Sequence, residues 1–154
     1  MAEKIRAWGW LGLLTRLLLG GLFLFAAYVK LRNPVIFRQG VDAFKILPEH
    51  LSILAAYVVP WTELVAGVLL VLGLWARSAA LVIGTMLVAF IAAMVSVLYR
   101  GIDAHCSCFG KFEIPCEGPV GWCHLVRNGV LVGLAVIVVA IGPGTLAMDR
   151  ESTK

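Results

Sequence analysis

Four long apolar runs constrain this chain more than any other feature. A helix rises about 1.5 Å per residue, so roughly 20 residues cross about 30 Å of hydrocarbon. Runs of that order occupy Trp8–Val29, Leu51–Trp75, Ala79–Leu98 and Leu125–Ile141. A backbone in lipid must satisfy its own hydrogen bonds, and these segments are too long and continuous for tilted barrel strands, so each is expected to be a helix. The predicted fold class is all-α: a four-helix transmembrane bundle forming a single domain over residues 1–154. Composition agrees, with 61% hydrophobic and 14% charged residues and a mean hydropathy of +0.95, where soluble chains carry nearer a quarter charged. The net charge of +4 is scattered between apolar blocks instead of forming a basic stripe. That pattern argues against nucleic acid and for anionic lipid headgroups as the counter-charge.

The first run follows Lys4 and Arg6 and ends near Phe25-Ala26-Ala27, which resembles a secretory signal. Arg16 lies inside the run and the run is long for a signal core, so it is expected to stay as an anchor. Between the first two spans, Asn33-Pro34 reads as an N-cap followed by proline at the first helical position. Phe37, Val41 and Phe44 then recur at helical spacing, with Arg38, Asp42 and Lys45 interleaved. A short amphipathic helix lying on the bilayer surface is predicted there, ended by Leu47-Pro48. A tight turn near Arg77-Ser78 makes spans two and three an antiparallel hairpin, and a loop over 100–123 joins spans three and four. Gly129/Gly133 in the last span, and Ala89/Ala93 with Ala92/Ser96 in the third, have the small-xxx-small spacing that lets membrane helices approach closely.

All four cysteines fall in that one loop: Cys106, Cys108, Cys116 and Cys123. Span parity puts them on one membrane face. Cys106 and Cys108 are close enough in sequence for a turn to bring their α-carbons into disulfide range. So small a ring is strained, and strain eases reduction, as suits an exchanging bridge. His105, when protonated, and Lys111 would raise the thiolate fraction of a neighbouring thiol. Cys116 and Cys123 would form a second pair that exchanges electrons with the first. Two other uses compete. In an oxidising compartment the four cysteines would make two inert staples, with three possible connectivities. Thiolates beside His105 and His124 would also suit Cu(I) or Zn(II), although the usual C-x2-C zinc spacing is missing.

Charge within the spans is sparse. Pro60-Trp61-Thr62-Glu63 is the sharpest case, because Pro60 removes a backbone donor and can kink the helix beside a carboxylate. Intramembrane charges face the bundle interior and find partners. Glu63 is expected to pair with Arg16 or Arg127, or to accept from Asn128, either locking the bundle or handling protons.

With these residues in view, the chain resembles the DoxX-like superfamily and, within it, the MauE-type redox-associated membrane proteins. The likeness rests on Gly21-x-Phe23, Lys30-Leu31 and Pro34, on Phe44-x-Ile46-Leu47-Pro48, and on Pro60-Trp61-x-Glu63-Leu64 with Gly67 and Gly73. Cys106-x-Cys108-Phe109-Gly110, Gly121-Trp122 and Arg127-Asn128 complete it. The C-x-C-F-G element is its most specific part. The resemblance implies a four-helix protein of the inner membrane that supports extracytoplasmic disulfide or sulfur redox chemistry. A redox protein or an oxidoreductase subunit would be its partner. By analogy with four-helix thiol oxidoreductases of the vitamin K epoxide reductase type, a quinone would accept the electrons. Ser107 stands where glycine is common, and the Cys116/Cys123 pair has no counterpart in the general family pattern.

Orientation draws opposite answers from two rules. Disulfides persist outside the cytosol, which places the cysteine loop there and the termini inside. The positive-inside rule counts Lys4, Arg6, Arg77, Arg150 and Lys154 on the side of the termini. It counts Lys30, Arg32, Arg38, Lys45, Arg100 and Lys111 on the other, or seven with Arg127 at the start of the last span, an excess of one or two in the wrong direction. The chemical rule is adopted.

Overall fold

The computed structural model describes residues 2–105, 116, 118–142 and 144, with side chains from residue 8 onward. The described residues form five helices: α1 Ala2–Arg32, α2 Pro34–Ala43, α3 Glu49–Leu72, α4 Ala76–Tyr99 and α5 Trp122–Ile141. Four of them, α1, α3, α4 and α5, are long and apolar enough to cross a membrane. The chain is therefore an all-helical, multi-pass membrane protein with a short helix between the first two spans.

Three spans, α1, α4 and α5, are longer than their apolar runs, because a helix continues past the first charge wherever its backbone bonds continue; α3 starts two residues before its run and stops at Leu72, short of Trp75. Lys30 and Arg32 thus belong to the last turn of α1, and Trp122-Cys123-His124 open α5. The turn between α3 and α4 lies at Gly73-Leu74-Trp75, just before the expected Arg77-Ser78. Gly73 adopts a left-handed φ of 71°, and the amides of Gly73 and Leu74 donate to the carbonyls of Leu70 and Leu69. This closes the orphan carbonyls at the end of α3, and glycine tolerates the conformation at no steric cost. Arg77 sits in the first turn of α4 instead.

The short helix forms as expected, with Pro34 in the first turn, although Asn33 makes no side-chain cap. Phe37 is buried beneath it, while Arg38 lies on the outer side, 3.5 Å from Asp42 and 2.9 Å from Glu49. The helix ends at Ala43, before Leu47-Pro48. Arg100, just beyond α4, donates to the carbonyls of Phe44 and Lys45 and ties down the turn that follows.

Helix α1 packs chiefly on α3, α4 on α5, and α1 also on α5. The close approach of α1 and α3 is made by one glycine from each. A Cβ on Gly20 would lie 3.1 Å from the carbonyl oxygen of Gly67, and one on Gly67 would lie 3.2 Å from that of Gly20. Two of the small-residue spacings expected to mark packing faces do something else. Gly129 and Gly133 face outward, with nothing within 4 Å of a built Cβ, and Ala89 and Ala93 line a cavity beneath α2. Spacing within one helix shows that a partner can approach, while the contact itself needs a small residue at the matching level of the neighbour.

Candidate functional site

The cysteine side of the molecule carries two features. The first is the base of the loop over 100–123. His105 and Pro119 form an isolated antiparallel bridge, and the Val120 amide donates to the Ala104 carbonyl at 2.8 Å. Ala104 and Val120 are buried, and Val120 packs with Met94, Ile91, Leu125 and Phe44. Apolar burial thus seats both ends of the loop on the bundle.

Cys116 and Cys123 form a disulfide, with α-carbons 5.8 Å apart, inside the usual range for such bridges. Of the three connectivities the sequence left open, the one realised joins these two. The bridge is asymmetric: Cys116 is 3% exposed, whereas Cys123 is exposed in the first turn of α5, not in the preceding loop. With both sulfurs bonded to each other, neither is a thiolate ligand for a metal. Beside them His124 is buried, and its Nδ1 accepts from the Gly121 amide at 3.4 Å. His105 is exposed at the bridge with Pro119. Cys106, Cys108 and Lys111 lie outside the described residues.

The second feature is an ion pair inside the bundle. Lys30 Nζ donates to Glu63 Oε1 at 2.5 Å, with both side chains 2% exposed. Side chains on a helix lean toward its N-terminus. In the antiparallel α1–α3 pair that lean carries Lys30 down into the bilayer and Glu63 up toward the cysteine face, so the two meet. The Lys30 ammonium also lies over the rings of Phe37 and Phe90, at 5.0 and 5.6 Å from their centroids.

The partner predicted for Glu63 is therefore corrected. Arg16 is buried in α1, a turn beyond the Gly20–Gly67 contact toward the termini, and so is out of reach. Asn128 donates to the His124 carbonyl at 2.8 Å instead. Arg127 stands half-buried in the second turn of α5. Apolarity alone puts Lys30 beyond the first span, yet one signal in the sequence points to it. Intramembrane Glu63 requires a cation, and Lys30 stands within one turn of the end of an antiparallel neighbour.

The family model described as methylamine utilisation protein MauE matches residues 8–141. The chain belongs to the MauE family. It is 35% identical over 124 residues to the methylamine utilization protein MauE of Paracoccus denitrificans, a match covering 80% of this chain and 65% of that protein. The matched part thus falls just short of two thirds of the relative's length. The wider DoxX-like grouping rests on the motif resemblance alone. No solved structure matches this MauE-family chain.

Proposed function

We propose that this MauE-family protein is a membrane thiol–disulfide redox protein, folded as one domain over residues 1–154. In this reading Cys106 and Cys108 are the exchanging pair and His105 raises their thiolate fraction. The observation that carries it is the Cys116–Cys123 disulfide at the base of the loop. That bond leaves Cys106 and Cys108 only each other as partners within the chain. It also fits a loop facing an oxidising compartment, since disulfides are rare where glutathione keeps thiols reduced.

The buried Cys116 favours a structural part for its own bridge, because an incoming thiolate reaches a buried sulfur poorly. Cys116–Cys123 then holds the loop in place, while the strained, two-residue-spaced pair exchanges. The same observation favours a second reading, a non-catalytic subunit whose stapled loop docks an oxidoreductase. A Cys106→Ser/Cys108→Ser variant separates the two. Loss of partner oxidation or maturation with the bundle intact supports exchange, and full function in the variant supports docking.

The loop is placed outside the inner membrane and the termini in the cytosol. The positive-inside count no longer opposes this. With Lys30 buried in an ion pair, Arg32, Arg38, Lys45, Arg100 and Lys111 on the cysteine side balance Lys4, Arg6, Arg77, Arg150 and Lys154 on the other. A membrane-impermeant thiol reagent on intact cells after mild reduction is expected to label the loop; labelling only after lysis would reverse the orientation. The names of the family and of its Paracoccus relative support a place in methylamine utilisation, and the thiol-redox reading adds an extracytoplasmic redox protein as partner.

A further inference from the structure

Beneath α2 lies a cavity of about 340 Å³, in the size range of small-molecule sites. Its roof is α2 with the turn after it, and its walls are α3 and α4. Its deepest lining residues are Val59 and Met86. At about 1.5 Å of rise per residue, Val59 lies about 15 Å below the start of α3 and Met86 about 20 Å below the end of α4. The hollow therefore runs the depth of about one leaflet of a roughly 30 Å hydrocarbon core. Every residue around it is apolar or glycine. A polar group buried there would find no side-chain partner, which is costly, so the part of an occupant that enters is hydrocarbon. Ile46 and Leu47 on the rim are exposed, and the mouth opens toward lipid.

The turn that closes the roof sets charge at the mouth. Lys45 stands between the lining residues Phe44 and Ile46 with a φ of 50°, the left-handed conformation that glycine usually takes after a helix. Its side chain is exposed. Arg100 holds this turn, its Nη1 donating to the carbonyls of Phe44 and Lys45 at 3.3 and 3.2 Å. A guanidinium carries five donors in a planar fork, so Nε and Nη2 remain, the edge that can grip a phosphate with two parallel bonds. The nearby carboxylates of Asp42 and Glu49 pair with Arg38. Among the described residues no carboxylate pairs with Lys45 or Arg100. Two cations at the mouth of an apolar shaft of leaflet depth suit an anion carried on a hydrocarbon stem.

We infer that this cavity binds one acyl chain of an anionic phospholipid, whose phosphate rests against Lys45 and Arg100. Lipid on the outward faces of the spans is selected by apolarity alone. This site differs by enclosing a single chain beneath α2 and by choosing the headgroup through charge. The inference stands on the cavity and its rim and is independent of the chemistry of the cysteines.

The test uses the full chain, purified in detergent and freed of lipid, titrated separately with dioleoyl-phosphatidylglycerol and the zwitterionic dioleoyl-phosphatidylcholine, with bound lipid counted by native mass spectrometry. Wild type is expected to bind one phosphatidylglycerol saturably and to prefer it about thirtyfold, the scale of two cations acting on an anionic lipid. Lys45→Gly removes one charge and suits the left-handed backbone. It is expected to melt no lower than wild type and to lose about fivefold in affinity for phosphatidylglycerol, with phosphatidylcholine unchanged. Ala93→Phe, which fills the shaft, is expected to weaken both lipids. Should Ala93→Phe misfold, a phosphatidylglycerol carrying a diazirine in its acyl chain is expected to label residues 86–93 of wild type. Several lipids bound without saturation, equal affinity for the two headgroups, an unchanged preference in Lys45→Gly, wild-type binding by folded Ala93→Phe, or a label spread over the outward faces of the spans would each overturn the assignment.

Discussion

The Lys30–Glu63 pair and the Cys116–Cys123 bridge both fasten the cysteine side of the molecule, by opposite physics. The ion pair joins two spans, α1 and α3, across 33 positions of sequence. Its strength depends on exclusion from water, and its energy is exposed when one partner is lost. The disulfide closes a separation of seven residues and reaches the bundle through the first turn of α5. Opening it frees a loop base that is also held by the Val120–Ala104 hydrogen bond and by burial against Met94. Loss of the bridge is thereby uncoupled from the fold within the membrane.

The comparison breaks most easily at the ion pair. Lys30→Met leaves Glu63 buried and uncompensated, and is expected to cost about 3–5 kcal/mol, read as a large loss of thermal stability in detergent. Lys30→Met/Glu63→Leu should recover most of it, since a buried pair replaced by apolar groups is often neutral. If the single and double variants melt alike, the pair is not the lock described. Next in size is Cys116→Ser/Cys123→Ser. Loop-closure entropy for a ring this short gives about 2.5 kcal/mol, and the loss should appear as faster hydrogen exchange at Ala104 and Val120 with helix content unchanged. Collapse of the spans in that variant would contradict the uncoupling.

Two glycine substitutions sharpen the contrast between the inner seam and the outer face. Gly67→Val is expected to destabilise by about 1–3 kcal/mol, as overpacking does, because its side chain meets Leu24 and the Gly20 carbonyl. Gly133→Val should cost the least, within about 0.5 kcal/mol, because the built Cβ there meets nothing. Equal effects at the two positions would mean that α5 packs on something through its outward face.

The spans were legible because length and apolarity suffice to recognise a membrane helix, and the short helix because Phe37 keeps helical spacing with Val41 and Phe44. Boundaries were less so: apolarity stops at Lys30, whereas hydrogen bonding runs on to Arg32. The same gap concealed the partner of Glu63, since a lysine counted as solvent-facing was not a candidate. Gly20 and Gly67 escaped notice because each is a single small residue on its own helix, and their match exists only once the two helices are side by side. The clustering of the cysteines was plain from span parity, but the choice of Cys116 for Cys123 depends on how Ala104 and Val120 seat the loop, which spacing alone does not encode.

Exchange at Cys106 and Cys108 is the central claim, and a redox titration of that pair in the full-length protein, with Cys116–Cys123 intact, tests it most directly. A midpoint above about −300 mV, in the range of labile and catalytic disulfides, is the predicted result. A midpoint well below about −300 mV, the region of structural bridges, would contradict it and leave the loop a staple.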